Sequence, residues 1–140
     1  MPGFPIDVHM SEYGLLDSIA DDVRRGLSAP QKFLLPKFLY DEEGSQLFEQ
    51  ITEVPEYYPT RTELSILTSI ADELMRKVAP QEIVELGSGS STKTRLLLDA
   101  GYNAKTLTRY VSFDVSPTIV ESACAELQQR YPGMALHGVI

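Results

Sequence analysis

The strongest constraint on the fold is a change of hydrophobic pattern near residue 80. Beyond it, short apolar runs alternate with segments of helical periodicity. Strands are predicted at 82–86, 109–115 and 134–140, and helices at 91–98 and from 117 to about 130. This β-α-β-α-β order is typical of a parallel sheet whose strands are joined by helical crossovers. The sequence therefore predicts an α/β fold for this part of the chain.

The part of the chain before residue 79 has helical patterns only. Prolines and a glycine within the first five residues predict an extended arm over 1–13, followed by a helix at 15–27. The run 41–45 is typical of a turn that leads into a second helix. A third, long helix is expected to open at Thr60, because Glu63 stands at the spacing of a capping box.

A glycine turn follows the first predicted strand, at Gly87, Ser88 and Gly89. Glycines allow a tight turn and the close approach of a ligand, and the next helix begins with unpaired N–H groups. A dinucleotide fingerprint would place a third glycine at position 92, which is Thr92. Glu85, two positions before the first glycine, is instead typical of methyltransferases that use S-adenosylmethionine (SAM). The pattern predicts a nucleoside cofactor and favours SAM, with NAD left open.

Asp114 closes the second predicted strand. A carboxylate at the carboxyl end of a strand beside the first one can accept hydrogen bonds from both hydroxyls of a ribose. NAD and SAM both carry a ribose, so Asp114 supports a nucleoside without choosing between them. A Gly-x-Gly alone also fits an ordinary tight turn, but the ordered strand, turn, helix, strand and acid favour a cofactor site.

Charge and cysteine content limit the partners and the cellular compartment that we expect for this chain of 140 residues. Twenty acidic residues against twelve basic ones give a net charge of -8, which disfavours nucleic acid and anionic membranes. The single cysteine, Cys124, excludes an internal disulfide, and we expect a cytoplasmic protein with a buried, inert thiol. His9 and His137 stand alone in the sequence, so no metal site is predicted.

Four runs of residues together match the pattern of one family. They are LYDEEGSQLF at 39–48, PEYYPTRTE at 55–63, ELGSGSSTKTR at 85–95 and FDVS at 113–116. In this order they resemble the signature segments of the histidine N-α-methyltransferases, the first enzymes of ergothioneine biosynthesis. The resemblance extends from about Leu16 onward. It implies transfer of three methyl groups from SAM to the α-amine of histidine, which gives hercynine.

The resemblance also implies a fold and a cofactor site. The fold would be a Rossmann-like half of a SAM methyltransferase, with a truncated parallel sheet preceded by an all-helical segment. The residues expected to bind SAM are those of the glycine loop, a cation and the strand-end acid: Gly87, Ser88, Gly89, Lys93 and Asp114. Lys93 stands at the start of a predicted helix, where the helix dipole disfavours a cation, and this favours a role beside the SAM carboxylate.

On the substrate side, the resemblance assigns the histidine pocket to the helical segment. Tyr57 would hydrogen-bond the substrate, and Tyr40 and Phe48 would line its pocket. The expected domains are thus a helical substrate-pocket segment, 1–78, and a SAM-binding segment, 79–140. No residue is an evident strong base, so the catalytic base is left unassigned.

Members of this family are well over twice as long as this chain. We therefore expect a partial chain in which the first sheet strand lacks a neighbour on one edge, and we expect no histidine methylation by the 140 residues alone. Two alternatives stay open. The substrate could be another small amine or amino acid, or the chain could be a non-catalytic half-domain that needs a partner chain.

Overall fold

The computed structural model describes residues 3–9, 12–39 and 41–140. Its helices and strands alternate in the second half of the chain, as the sequence predicts. In chain order they are β1 (Ile6–Asp7), α1 (Glu12–Ser28), a short 3-10 helix (Pro36–Leu39), α2 (Glu42–Glu53), α3 (Pro59–Val78), β2 (Glu82–Leu86), α4 (Arg95–Asn103), β3 (Arg109–Phe113), α5 (Pro117–Arg130) and β4 (Ala135–Val139). None of the described helices is both long and apolar enough to cross a membrane.

The described strands form one parallel sheet in the order β1-β4-β3-β2. The three predicted strands are confirmed as β2, β3 and β4, and β2 lies at an edge. Strand β1 was not predicted; it lies in the segment 1–13, which was expected to be an extended arm. Gly138 N donates to Pro5 O over 3.0 Å and Ile140 N donates to Asp7 O over 2.8 Å, so the arm pairs with β4.

A chain of polar side chains crosses the four strands and fastens β1 to the sheet. His137 Nε2 lies 2.8 Å from the Asp7 carboxylate, and its Nδ1 lies 2.9 Å from Arg109. A guanidinium only donates hydrogen bonds, so Nδ1 accepts and the neutral ring carries its proton on Nε2, which donates to Asp7. Arg109 also pairs with Glu82 on β2 over 3.0 Å.

The main core lies between α5, α4 and the sheet. Its fully buried side chains are Leu98, Tyr110, Val120, Cys124 and Leu127. The burial of Cys124 agrees with the prediction of an unreactive thiol, and removal from water raises the pKa of this thiol. The parallel pairing of β2 with β3 brings their carboxyl ends side by side at Leu86 and Phe113, and the glycine turn follows at this end.

The chain divides into two compact units, Val8–Tyr57 and a second unit made of Met1–Asp7 with Tyr58–Ile140. Helix α3 belongs to the second unit because Met75 and Ala71 pack against Ala100 on α4. The boundary between the two compact units therefore lies between Tyr57 and Tyr58, earlier in the chain than the functional boundary predicted at residue 78. The assignment of 1–78 to the substrate and of 79–140 to SAM stays a prediction.

The start of α3 differs from the prediction. The helix begins at Pro59, with Tyr58 at the N-cap and no side-chain cap. The capping box expected from Thr60 and Glu63 is therefore wrong. Proline suits the first helical position because its ring fixes a helical φ and its missing N–H has no intrahelical partner there. Glu63 instead forms an ion pair with Lys93.

Helix α4 also begins later than predicted. Its first residue is Arg95, with Thr94 at the N-cap, whereas a start at Ser91 was expected. Ser91 has a φ of +54°, in the left-handed region, which a right-handed helix does not contain. Lys93 therefore lies in the loop before the helix.

Candidate functional site

The glycine turn joins β2 to the loop that leads into α4. Gly87 has a φ of +71° and Gly89 a φ of +50°, a region in which glycine pays no steric cost. Their neighbour across the sheet holds the turn, since Phe113 O accepts from Gly87 N over 2.8 Å and from Ser88 N over 3.0 Å. No atom lies within 4 Å of the Cβ position of either glycine, so this side of the loop is open to a ligand.

Asp114 is fixed beside this open loop. One carboxylate oxygen accepts from Gly89 N over 2.9 Å, and the other accepts from Ser116 N over 3.1 Å. The backbone is held as well, because Asp114 N donates to Val139 O over 3.1 Å. Each oxygen has a second lone pair, so the half-buried carboxylate can still accept from two further hydroxyls.

The structure thus brings together four of the five predicted SAM-binding residues. Gly87, Ser88 and Gly89 form the loop, and Asp114 binds to it directly. Ser88 is buried, and its hydroxyl lies 2.7 Å from that of Ser112 on β3, so its side chain attaches the loop to the neighbouring strand. Their contact with SAM stays a prediction.

Lys93, the fifth predicted SAM-binding residue, is engaged with a residue of its own unit. Its ammonium pairs with the carboxylate of Glu63 on α3, and both side chains are partly exposed. Exposed ion pairs of this kind hold each other weakly, so the ammonium can exchange Glu63 for a ligand carboxylate. Its contact with SAM stays a prediction.

The acid of the glycine motif, Glu85, has a role that the sequence did not show. Its two carboxylate oxygens accept from the hydroxyls of Thr94 and Tyr110. Tyr110 in turn lies 2.9 Å from the hydroxyl of Ser91. Burial and the hydrogen bond to Glu85 raise the pKa of Tyr110, so its phenol stays protonated. Tyr110 was missed because a tyrosine in a strand is most simply explained as core.

The predicted substrate residues belong to the helical unit. Phe48 on α2 and Tyr57 have ring centroids 6.1 Å apart with planes at 80°, an edge-to-face arrangement. Phe48 is exposed and Tyr57 is half-buried. The structure therefore brings these two predicted residues together, whereas Tyr40 lies outside the described residues.

The turn before α2 explains part of the matching run at 39–48. Asp41 is the N-cap of α2 and accepts from Gly44 N over 2.8 Å, which confirms the predicted turn into a helix. A Cβ at Gly44 would lie 2.0 Å from Leu39 O, so only glycine fits at this position. The Asp and Gly of the run thus have structural roles, and they fix the start of the helix that carries Phe48.

Comparison with known proteins identifies the family. A family model described as "Histidine-specific methyltransferase, SAM-dependent" matches residues 19–140. The chain is 46% identical over 134 residues to a histidine N-alpha-methyltransferase of Mycolicibacterium smegmatis, covering 93% of this chain and 42% of the relative. It is 41% identical over 131 residues to the protein of that name in Mycobacterium tuberculosis, covering 94% and 41%.

A more distant relative is ergothioneine biosynthesis protein 1 of Schizosaccharomyces pombe. It is 38% identical over 107 residues, which cover 72% of this chain and 14% of the relative. The chain thus spans about two fifths of the length of the mycobacterial relatives. Since the family model matches most of its residues, the chain belongs to the SAM-dependent, histidine-specific methyltransferases.

Proposed function

We propose that the protein binds SAM on the glycine loop and transfers its methyl groups to the α-amine of histidine, giving hercynine. One observation carries the cofactor half of this proposal. The Asp114 carboxylate is fixed to Gly89 N beside a loop that is open at both glycines. The family and the names of the mycobacterial relatives support the choice of SAM and of histidine.

The site residues fit SAM through three kinds of contact. The open side of Gly87 and Gly89 admits the ligand close to the backbone. The free lone pairs of Asp114 would accept from the two ribose hydroxyls. Lys93 would exchange its partner Glu63 for the carboxylate of the methionine part.

The aromatic pair of the helical unit would bind the amine side. Tyr57 has a hydroxyl for one hydrogen bond to the substrate, and its ring is braced by Phe48. The exposed ring of Phe48 would stabilise a cationic methylated amine through its quadrupole. The family resemblance assigns Tyr40 to the same substrate pocket.

The chemistry asks the protein mainly to position two molecules. When bound, SAM would supply a methyl group on a sulfonium to the amine nitrogen and would leave as the thioether S-adenosylhomocysteine. The amine must be neutral, and its lone pair must lie in line with the bond that breaks. Well-oriented reactants gain about 7–11 kcal/mol from such positioning. Fixed contacts such as those of Asp114 therefore matter more than a covalent catalyst, and the base stays unassigned.

The proposal is tested at two levels. The 140-residue chain is titrated with SAM by calorimetry, with Gly87→Val as the control that should not bind. In a second step, this chain replaces the matching 42% of the Mycolicibacterium smegmatis relative, and the resulting chimera is incubated with SAM and histidine. Hercynine, detected by mass spectrometry and absent from the Gly87→Val chimera, is the expected result.

Other outcomes separate the alternatives. A folded chimera that methylates tryptophan or another amine, but not histidine, contradicts the proposed substrate and keeps the SAM site. Failure of the chain to bind SAM, together with formation of a stable complex with another chain on gel filtration, would favour a non-catalytic half-domain.

A further inference from the structure

A buried tyrosine lies beneath the glycine loop. Tyr110 on β3 is 0% exposed, and its hydroxyl contacts both Glu85 and Ser91. An ionised carboxylate only accepts hydrogen bonds, so Tyr110 donates to Glu85. A phenol has one hydrogen, and therefore Ser91 must donate to Tyr110. The direction of both hydrogen bonds is fixed by this chemistry.

These two hydrogen bonds join the two ends of the loop. Glu85 lies on β2 before the turn, and Ser91 lies after it. Ser91 is 2% exposed and has a φ of +54°, a conformation that costs free energy for any residue with a Cβ. Such a conformation persists only where its surroundings hold it. Two backbone hydrogen bonds hold Ser91, from its N to Ser88 O over 2.9 Å and from Arg95 N to its O over 3.1 Å, and its side chain is held by the contact with Tyr110.

The anchoring continues along one face of β3. Residues two apart in a strand point to the same side, and Tyr110, Ser112 and Asp114 follow that spacing. Ser112 contacts the hydroxyl of Ser88, and Asp114 contacts Gly89 N. Tyr110 and Ser112 on β3, and Asp114 directly after it, thus contact three positions of the loop, whose two glycines have open space at their Cβ positions.

We infer that Tyr110 is a positioning residue for SAM: it holds the glycine loop in its binding shape through Glu85 and Ser91 without contacting the ligand. The inference rests on the proposed function, since it presumes that SAM binds this loop. It assigns to the motif acid Glu85 the role of an acceptor for loop-shaping hydroxyls.

The test is Tyr110→Phe, which keeps the ring and removes the hydroxyl. Tyr131→Phe is a matched control, because Tyr131 is 2% exposed and its hydroxyl likewise donates to a carboxylate, that of Asp99, over 2.8 Å. Both variants lose one part-buried phenol–carboxylate hydrogen bond, so both should melt a few degrees lower. On calorimetric titration of the 140-residue chain, Tyr110→Phe should raise the Kd for SAM about tenfold, and Tyr131→Phe should leave it within twofold.

Amide hydrogen exchange separates positioning from a general loss of stability. In Tyr110→Phe without ligand, faster exchange should be confined to residues 87–95, while α5 and β4 keep their protection. Should Tyr110→Phe fail to fold, Ser91→Ala removes the same loop contact from the other side and should raise the Kd at least threefold.

The opposite results are equally clear. Unchanged SAM affinity in Tyr110→Phe, or in Ser91→Ala where that variant is used, would overturn the inference and leave the proposed function standing. Equal loss of affinity in Tyr131→Phe would also overturn it, because stability alone would explain the effect. If the unsubstituted chain binds no SAM, the proposed function fails first and this inference with it.

Discussion

Replacing Asp114 by alanine should weaken SAM binding by at least a hundredfold. Two hydrogen bonds from ribose hydroxyls to the carboxylate would be lost, each worth about 1.5–3 kcal/mol because the acceptor is charged. Their sum of about 3–6 kcal/mol corresponds to a factor of about 10² to 10⁴ in Kd at 1.4 kcal/mol per tenfold. The hydrogen bond from Gly89 N is lost as well, which frees the loop and adds to the effect.

Asp114→Asn refines the experiment. An amide offers one oxygen acceptor, but the carboxylate now accepts from both Gly89 N and Ser116 N. One of these N–H groups would therefore face a donor, and the ribose would lose its charged acceptor. We expect a loss between those of alanine and the unsubstituted chain. Asp99→Asn is the control, because Asp99 binds Arg130 and Tyr131 instead of the loop.

Isothermal titration of each variant with SAM gives the Kd values, and circular dichroism confirms that the variants are folded. The expected order of affinity is unsubstituted chain and Asp99→Asn together, then Asp114→Asn, then Asp114→Ala. An affinity of Asp114→Ala within threefold of the unsubstituted chain would show that the carboxylate does not bind the ribose.

The other predictions concern the loop, the substrate and the acid stability. Gly87→Val should abolish measurable SAM binding, because a φ of +71° is strained for a β-branched residue and the side chain would enter the open side of the loop; normal binding by a folded variant would contradict this. In the chimera, Tyr57→Phe should raise the KM for histidine with SAM affinity nearly unchanged, whereas an equal loss of both would indicate a structural role. The hydrogen bond from Arg130 holds the pKa of Asp99 below its usual range, so this carboxylate stabilises the fold above about pH 4 and the contribution disappears as the pH falls through the lowered pKa. Asp99→Asn should thus flatten the acid limb of stability in urea titrations between pH 5 and 3, by less than about 1 kcal/mol because the pair is partly exposed; an unaltered acid limb would argue against it.

The predicted order of strands and helices is confirmed because each element carries its own local signal. The apolar run of β2 ends at a glycine turn, and Pro117 marks the start of α5. Strand β1 has no such signal. It consists of two residues that pair with β4 at the far end of the chain, so only long-range contacts form it. The late start of α4 also involves a contact distant in sequence, because Ser91, whose backbone is left-handed, has its hydroxyl 2.9 Å from that of Tyr110 on β3.

Some residues of the candidate site were predicted from the sequence motifs, and others were recognised only from their contacts in the structure. Gly87 and Asp114 are visible in the sequence because the proposed SAM site would require a missing Cβ at one position and a carboxylate at the other. The residues beside the loop need only a hydroxyl within hydrogen-bond distance of it, which several residue types can supply. In the sequence, Tyr110 and Ser112 therefore look like ordinary strand residues. Their spacing is nevertheless informative, because alternate positions leading to a strand-end acid must share its face. Where an acid proposed to bind a ribose directly follows a strand, hydroxyl side chains two and four residues earlier are therefore candidates for holding the neighbouring glycine loop, as Ser112 contacts Ser88 and Tyr110 contacts Ser91 here.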